Sequence, residues 1–275
     1  MTEIFILTND FVRKQGFLGE HGSSIFIRYG TGSILFDAGQ SDVFIRNAQR
    51  MGIDVAAADG IVLSHGHYDH CGGIGCLSDD TNDVPVYIDR SAFEYKYALN
   101  ADGSFRYIGI PDNVRSSAFL KRNIVSGSGS DEIMDGVFIL SGISKDRLGT
   151  YTSGDLYVKR GDEMLHDEMK DEQMLVIDDN EGLCVFLGCS HPGVINCIRH
   201  ALDRFSGRHI KALFAGMHLG ASDERHIREV MDFFDEADIG HIFPLHCTGI
   251  TAVSEMKKHF KERCTVLYSG DSVTI

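Results

Sequence analysis

Four metal-type donors crowd into six positions of the stretch LSHGHYDHCGG, Leu63 to Gly73: His65, His67, Asp69 and His70. Imidazole nitrogens and a carboxylate at this density suit a borderline divalent cation. The preceding apolar run, DGIVL, reads as a strand, and Gly72-Gly73 follows as a turn, so the donors are predicted on a tight corner at a sheet edge. From that corner the alternate residues His65 and His67 can converge on one ion while Asp69 and His70 face a second. A bound ion lowers the pKa of its water to roughly 7, and a second ion can hold a leaving oxygen. The chemistry implied is two-metal attack by hydroxide.

The rest of the chain must position that corner. EIFILT, SIFIRY and SILF are β-rich runs, and Ser41 to Met51 carries Val43, Phe44, Ala48 and Met51 at helical spacing before Gly52. From about residue 79 to 166 the pattern is irregular, with Pro85, Pro111, a Gly/Ser run over 126–130 and aromatics at Phe93, Tyr95, Tyr97, Phe105 and Tyr107. It reads as a strand, a helix and long loops that cover a site, or as a surface insertion whose aromatics pack locally. Beyond it, QMLVID and LCVFLG are strands, Ile195, Ile198, Leu202 and Phe205 mark a helix closed by Gly207, and IKALFA and GHIFPL are strands. Helices capped by Ser222 and Thr251 follow these last two strands. Strands and helices alternating in both halves predict an α/β fold of two sheets with helices outside.

Composition narrows the function. Twenty-six basic residues against 40 acidic ones leave a formal net charge of −14, which offers no footprint for nucleic acid or anionic membrane. No stretch reaches the roughly 20 apolar residues of a spanning helix, and MTEIFILTND has no basic leader pattern, so a cytoplasmic location is expected. The seven cysteines include no Cys-x-x-Cys pair, and most are expected to be small buried hydrophobes. The partner expected is a small-molecule substrate, with self-association into a homo-oligomer left open.

LSHGHYDHCGG resembles the His-x-His-x-Asp-His signature of the metallo-β-lactamase superfamily. EHGSSIFI at Glu20, ILFDAGQ at Ile34, GCSHPGVIN at Gly188, AGMHL at Ala215 and PLHCTG at Pro244 are similar to its dihydropteroate-synthase-like branch, of the methanopterin biosynthesis type. The resemblance implies one domain over 1–275, folded as a four-layer αββα sandwich with a binuclear metal site at the sheet edges. It implies that His65, His67 and His191 hold the first ion and Asp69, His70 and His246 the second, with zinc foremost and iron, manganese or nickel as substitutes. Asp37 would orient a ligand histidine, or would only form a turn before Gly39.

Where many members carry a Gly-His-Thr histidine and later a bridging aspartate, this chain has Gly188-Cys189-Ser190-His191 and shows no such aspartate. Cys189 is then either a thiolate ligand or a buried thiol. His166 lies in a polar loop without the expected motif. His218 faces substrate or metal, and Glu20 and His21 border the pocket or form a surface turn. A branch motif that tends to read Gly-Glu-Ile-Pro-Arg is replaced by residues 141–147, SGISKDR. The expectation is therefore a binuclear hydrolase acting through metal-bound hydroxide on an ester-like or phosphate-containing small molecule, with Asp69 catalytic. The alternatives are a transferase releasing diphosphate and a silent small-molecule sensor of the same fold.

Overall fold

A computed structural model describes residues 1–77, 84–125, 130–145 and 155–275. In chain order the strands are β1 (Thr2–Thr8), β2 (Ser24–Tyr29), β3 (Gly32–Phe36), β4 (Gly60–Val62), β5 (Val86–Tyr87), β6 (Tyr95–Leu99), β7 (Phe105–Tyr107) and β8 (Ile124–Val125). They continue as β9 (Ser130–Met134), β10 (Val137–Leu140), β11 (Leu156–Arg160), β12 (Glu163–His166), β13 (Met174–Asp179), β14 (Gly182–Leu187), β15 (Ile210–Gly216), β16 (His241–Leu245) and β17 (Ser272–Thr274). The helices are α1 (Val43–Arg50), α2 (Tyr68–Cys71), α3 (Asp112–Ser116), α4 (Ala118–Asn123), α5 (Val194–Arg204), α6 (Glu224–Glu236) and α7 (Ile250–Phe260).

The chain divides into two compact units. The first comprises Met1–Gly127, Ser153–Asp171 and Tyr268–Ile275, and the second Ser128–Thr152 and Glu172–Leu267. In the first unit a sheet runs β17-β1-β2-β3-β4-β5-β8, antiparallel as far as β3 and parallel from there. Phe44 and Ala48, one turn apart on α1, join Leu7, Phe26 and Leu35 in its core. Buried beside them, the Asn47 side-chain amide donates to the carbonyls of Leu7 and Leu18, which ties α1 to the loop after β1.

A second sheet of the first unit, β12-β11-β6-β7, is antiparallel throughout and falls inside the segment expected to be mainly loops. Its signal is aromatic pairing across strands rather than long alternation. Tyr97 pairs with Tyr107 in register at a ring separation of 5.4 Å, and Phe105 meets Tyr157 at 5.2 Å. Strands of three to five residues are too short for a period of two to stand out in the sequence. The Gly/Ser run at 126–129 and the end of SGISKDR, 146–147, lie outside the described residues.

Among the described residues the second unit has one sheet, β16-β15-β14-β13-β10-β9, in which β14, β15 and β16 are parallel neighbours. Ile198 and Ala201 of α5, Val230 and Phe234 of α6, and Met256 and Phe260 of α7 share a core with Val185, Leu213 and Ile242 of the sheet. Two helix starts differ from expectation. Asp223, not Ser222, caps α6, its carboxylate accepting the His226 N–H at 2.8 Å. Helix α7 begins at Ile250 behind Gly249, whose φ of 79° turns the chain into the helix, so Thr251 sits inside the first turn. The fold is α/β, with a sheet layer and a helix layer in each unit.

Candidate metal centre

In the first unit, residues 63–70 leave β4, cross a short corner and enter α2, whose first turn carries Asp69. Burial is nearly complete: His65 and His70 are inaccessible, and His67 and Asp69 almost so. The corner fits only because residue 66 lacks a side chain. A Cβ there would lie 2.2 Å from the carbonyl oxygen of Ala92. The Gly66 N–H donates to the Asp171 carboxylate at 2.8 Å, and Asp171 also accepts from the Lys96 ammonium at 2.8 Å. Lys96 reaches Asp167 as well, at 2.7 Å, so a buried ion triad stands behind the donor corner.

Asp37, inaccessible and held at a φ of 59°, decides the tautomers. Its Oδ2 lies 2.6 Å from His70 Nδ1, so that nitrogen carries the proton and Nε2 keeps its lone pair. The same oxygen accepts the Ser64 hydroxyl at 2.8 Å, and Ser64 Oγ sits 2.9 Å from His65 Nδ1. With its own proton committed to Asp37, that hydroxyl accepts from His65 Nδ1, and His65 Nε2 is also left with a lone pair. One carboxylate thus prepares two imidazoles.

The resulting spacings can be compared with coordination geometry. Two nitrogen ligands of a tetrahedral ion stand roughly 3.3 Å apart. His65 Nε2 and His67 Nδ1 are 3.0 Å apart, and Asp69 Oδ2 and His70 Nε2 are 3.8 Å apart. Burial and the Lys96 charge push the His67 imidazole down to about 3, so it is neutral and able to donate a lone pair at neutral pH.

His21, which the sequence placed at the pocket border, bridges two carboxylates. Its Nδ1 lies 3.1 Å from Asp10 and its Nε2 3.2 Å from Asp69 Oδ2. Glu20 is engaged locally: its carboxylate accepts the N–H groups of Gln40 and Ser41 and the Ser41 hydroxyl.

In the second unit the predicted donors occupy the carboxyl ends of adjacent parallel strands. His191 follows β14 by four residues, His218 follows β15 by two, and His246 directly follows β16. The rings of His191 and His218 lie 4.7 Å apart. Ser190, His218 and His246 all have a left-handed backbone, with φ of 57°, 51° and 44°. Such conformations cost non-glycine residues on the order of 1 kcal/mol each and gather at functional sites. Cross-strand bonds hold them: Ser190 donates its N–H to Glu172 at 2.9 Å and its hydroxyl to the Gly216 carbonyl at 2.6 Å. Burial pushes the Cys247 thiol up, but the hydrogen bond with Cys189 and the neighbouring His246 and His218 bring it well below the ordinary cysteine range. Buried Cys71 and Cys197 are shifted upward, as inert core thiols are.

Sequence reasoning missed Asp10, Lys96, Asp167, Asp171 and Cys247. Only Cys247 had a local signal, its place beside His246 in PLHCTG.

Fold and donor pattern define a class, and the chain belongs to the metallo-β-lactamase superfamily, whose profile matches residues 18–159. Among individual relatives, a solved structure described as a metal-dependent hydrolase of the β-lactamase superfamily is 32% identical. It has a TM-score of 0.86 and is covered over 99% of its length by all of this chain. An uncharacterised protein of Methanocaldococcus jannaschii is 29% identical over 93% of this chain and 94% of its own. A 7,8-dihydropterin-6-methyl-4-(β-D-ribofuranosyl)-aminobenzene-5′-phosphate synthase of the same organism is 26% identical over 98% and 95%. Among the described residues no helix is long and apolar enough to cross a membrane.

Proposed function

We propose that the protein is a binuclear metal-dependent hydrolase of an ester-like or phosphate-containing small molecule. The observation that carries this reading is the donor corner itself: two ligand pairs at 3.0 and 3.8 Å, with Asp37 fixing the tautomers behind them. Following the superfamily pattern, His65, His67 and His191 would hold one ion and Asp69, His70 and His246 the other. Zinc is the first choice, with iron, manganese or nickel as substitutes. A divalent ion bound there acts as a Lewis acid and brings the pKa of a water down to roughly 7.

The chain's own groups complete the reaction. Asp69 would help orient the attacking water as well as bind metal, and His21 Nε2, 3.2 Å from its Oδ2, keeps the carboxylate aimed. His218 would meet substrate, and Glu20 would shape the rim by holding the Gln40–Ser41 turn.

Metal analysis followed by a panel of phosphodiester, phosphomonoester, lactone and thioester substrates tests this reading. About two ions per chain are expected, with turnover on one class that disappears in Asp69→Asn. Metal content far below one per chain after metal-replete expression would overturn it, as would full activity in that variant. A second reading, a synthase, is favoured by the 26% identical relative named as one. Diphosphate released only when a pterin substrate and an arylamine acceptor are both present would select it. Metal uptake without turnover in either assay would leave a small-molecule sensor.

A further inference from the structure

The turn GCSHPG, residues 188–193, joins β14 to α5 and is fixed from several sides by groups of the second unit. Ser190, inaccessible and left-handed at a φ of 57°, sits at its centre. Its carbonyl accepts the Gly193 N–H at 2.8 Å, and its hydroxyl donates to the Gly216 carbonyl at 2.6 Å. Pro192 disfavours helical backbone at His191, and the Asn196 side-chain amide donates to the Pro192 carbonyl at 2.8 Å. The last tie is the Ser190 N–H, which donates to Glu172 Oε1 at 2.9 Å.

Glu172 is a costly acceptor for a turn. It is 3% exposed, and a carboxylate is expensive to bury unless hydrogen bonds and charges compensate. A turn amide is ordinarily satisfied by a carbonyl or by water. The same device stands one residue earlier in the chain, where buried Asp171 accepts the Gly66 N–H at 2.8 Å. Gly66 precedes His67, and Ser190 precedes His191. In each unit, then, a buried carboxylate holds the amide of the residue just before a proposed ligand histidine. A left-handed serine persists only where its surroundings over-determine it. Without the acceptor, the Ser190 backbone would relax toward the ordinary extended region, and rotation there re-aims the imidazole that follows.

We propose that Glu172 is a positioning residue for His191: its carboxylate presets the Ser190 amide and thereby the direction from which the imidazole meets an ion. The proposal rests on the reading of His191 as a metal ligand, and its test separates the two.

Amide exchange in the full-length, metal-free protein reads the hydrogen bond itself. The Ser190 N–H is expected to exchange about 10-fold or more slowly in the wild type, and in Glu172→Gln, which keeps an acceptor oxygen, than in Glu172→Met, which has none. Chelator competition with zinc then reads the two binding steps, and His191→Ala identifies the step that histidine serves. Glu172→Met should weaken that step about 10–100-fold and leave the other unchanged, while Glu172→Gln should bind as the wild type does. A role in packing alone would weaken both steps together. Unchanged zinc affinity in Glu172→Met, equal weakening of both steps, or a Glu172→Gln variant as poor as Glu172→Met would overturn the proposal. Unprotected exchange of the Ser190 N–H in the unmutated protein would do the same, which keeps the test decisive if Glu172→Met fails to fold. If His191→Ala weakens neither step, the ligand reading itself is wrong and the proposal falls with it.

Discussion

Replacing Lys96 by Met removes the cation from the buried triad while keeping a side chain of similar length and volume. In the wild type Lys96 is 1% exposed and satisfies Asp167 and Asp171, which are 5% and 0% exposed at the side chain. The variant leaves two buried carboxylates facing each other without a counter-charge, a change that typically costs about 3–5 kcal/mol. Against a total stability of roughly 5–15 kcal/mol this is a large fraction. The pH dependence follows from the shifts. Burial pushes Asp171 up, but the Lys96 charge and the hydrogen bonds from Lys96 and the Gly66 N–H bring it below its ordinary 3.8. In the wild type that stability is present above 3.8 and is lost as pH falls through the lower folded value. Without Lys96 the carboxylate is no longer held down, so the gap between the two proteins should close on acidification. Urea unfolding of metal-free protein at neutral pH and near pH 4 measures both effects. A difference below about 1 kcal/mol at neutral pH, or a gap that does not change with pH, would refute the argument that Lys96 supplies the counter-charge these two buried carboxylates need. The Lys96 charge also lowers His67, so the His67 resonance in metal-free protein should titrate above its wild-type value of about 3.

Asp37→Ala should weaken metal binding about 10–100-fold in chelator competition, because two imidazoles lose their fixed tautomer at once; unchanged affinity would remove Asp37 from the metal argument. Gly66→Ala pushes a methyl into the Ala92 backbone and should destabilise by about 1–3 kcal/mol or more in urea unfolding, with reduced metal uptake; a neutral effect would show that the corner can relax. Metal-free protein should be fully stable only above the ordinary histidine value of 6.5, since below it the unfolded chain takes a proton that buried His67 refuses until about 3. Melting temperatures should therefore fall between neutral pH and pH 4, at up to about 1.4 kcal/mol of stability per pH unit from this group. A flat profile would contradict the buried, neutral state of His67.

The donor corner was legible because its residues are adjacent in sequence and follow an apolar strand, so spacing alone carried the geometry. The parallel strands β14, β15 and β16 were legible for a similar reason: buried strands alternating with helical periodicity leave few topologies. The Lys96 triad was not. Asp171 lies 75 residues from Lys96 and 105 from Gly66, and the two aspartates of DEMKDEQ are indistinguishable from solvated ones until the chain folds. Cys247 was hidden because the groups that surround it, Cys189 and His218, come from other strands. The β12-β11-β6-β7 sheet stayed hidden because its evidence lies in pairs of aromatics across strands, which a reading along the chain does not see.

The interleaving of the two units has a consequence for synthesis. The donor corner emerges from the ribosome early, but Asp171, which holds the Gly66 N–H, is made 105 residues later. The strand that covers the free edge of β1 is β17, which pairs Glu3 with Thr274 and follows the whole of the second unit. During translation the nascent first sheet therefore carries an unprotected edge until the last residues are made, and the histidine corner lacks its Asp171 bond until residue 171. Slow elongation through the second unit should therefore raise the fraction of chains lost to aggregation.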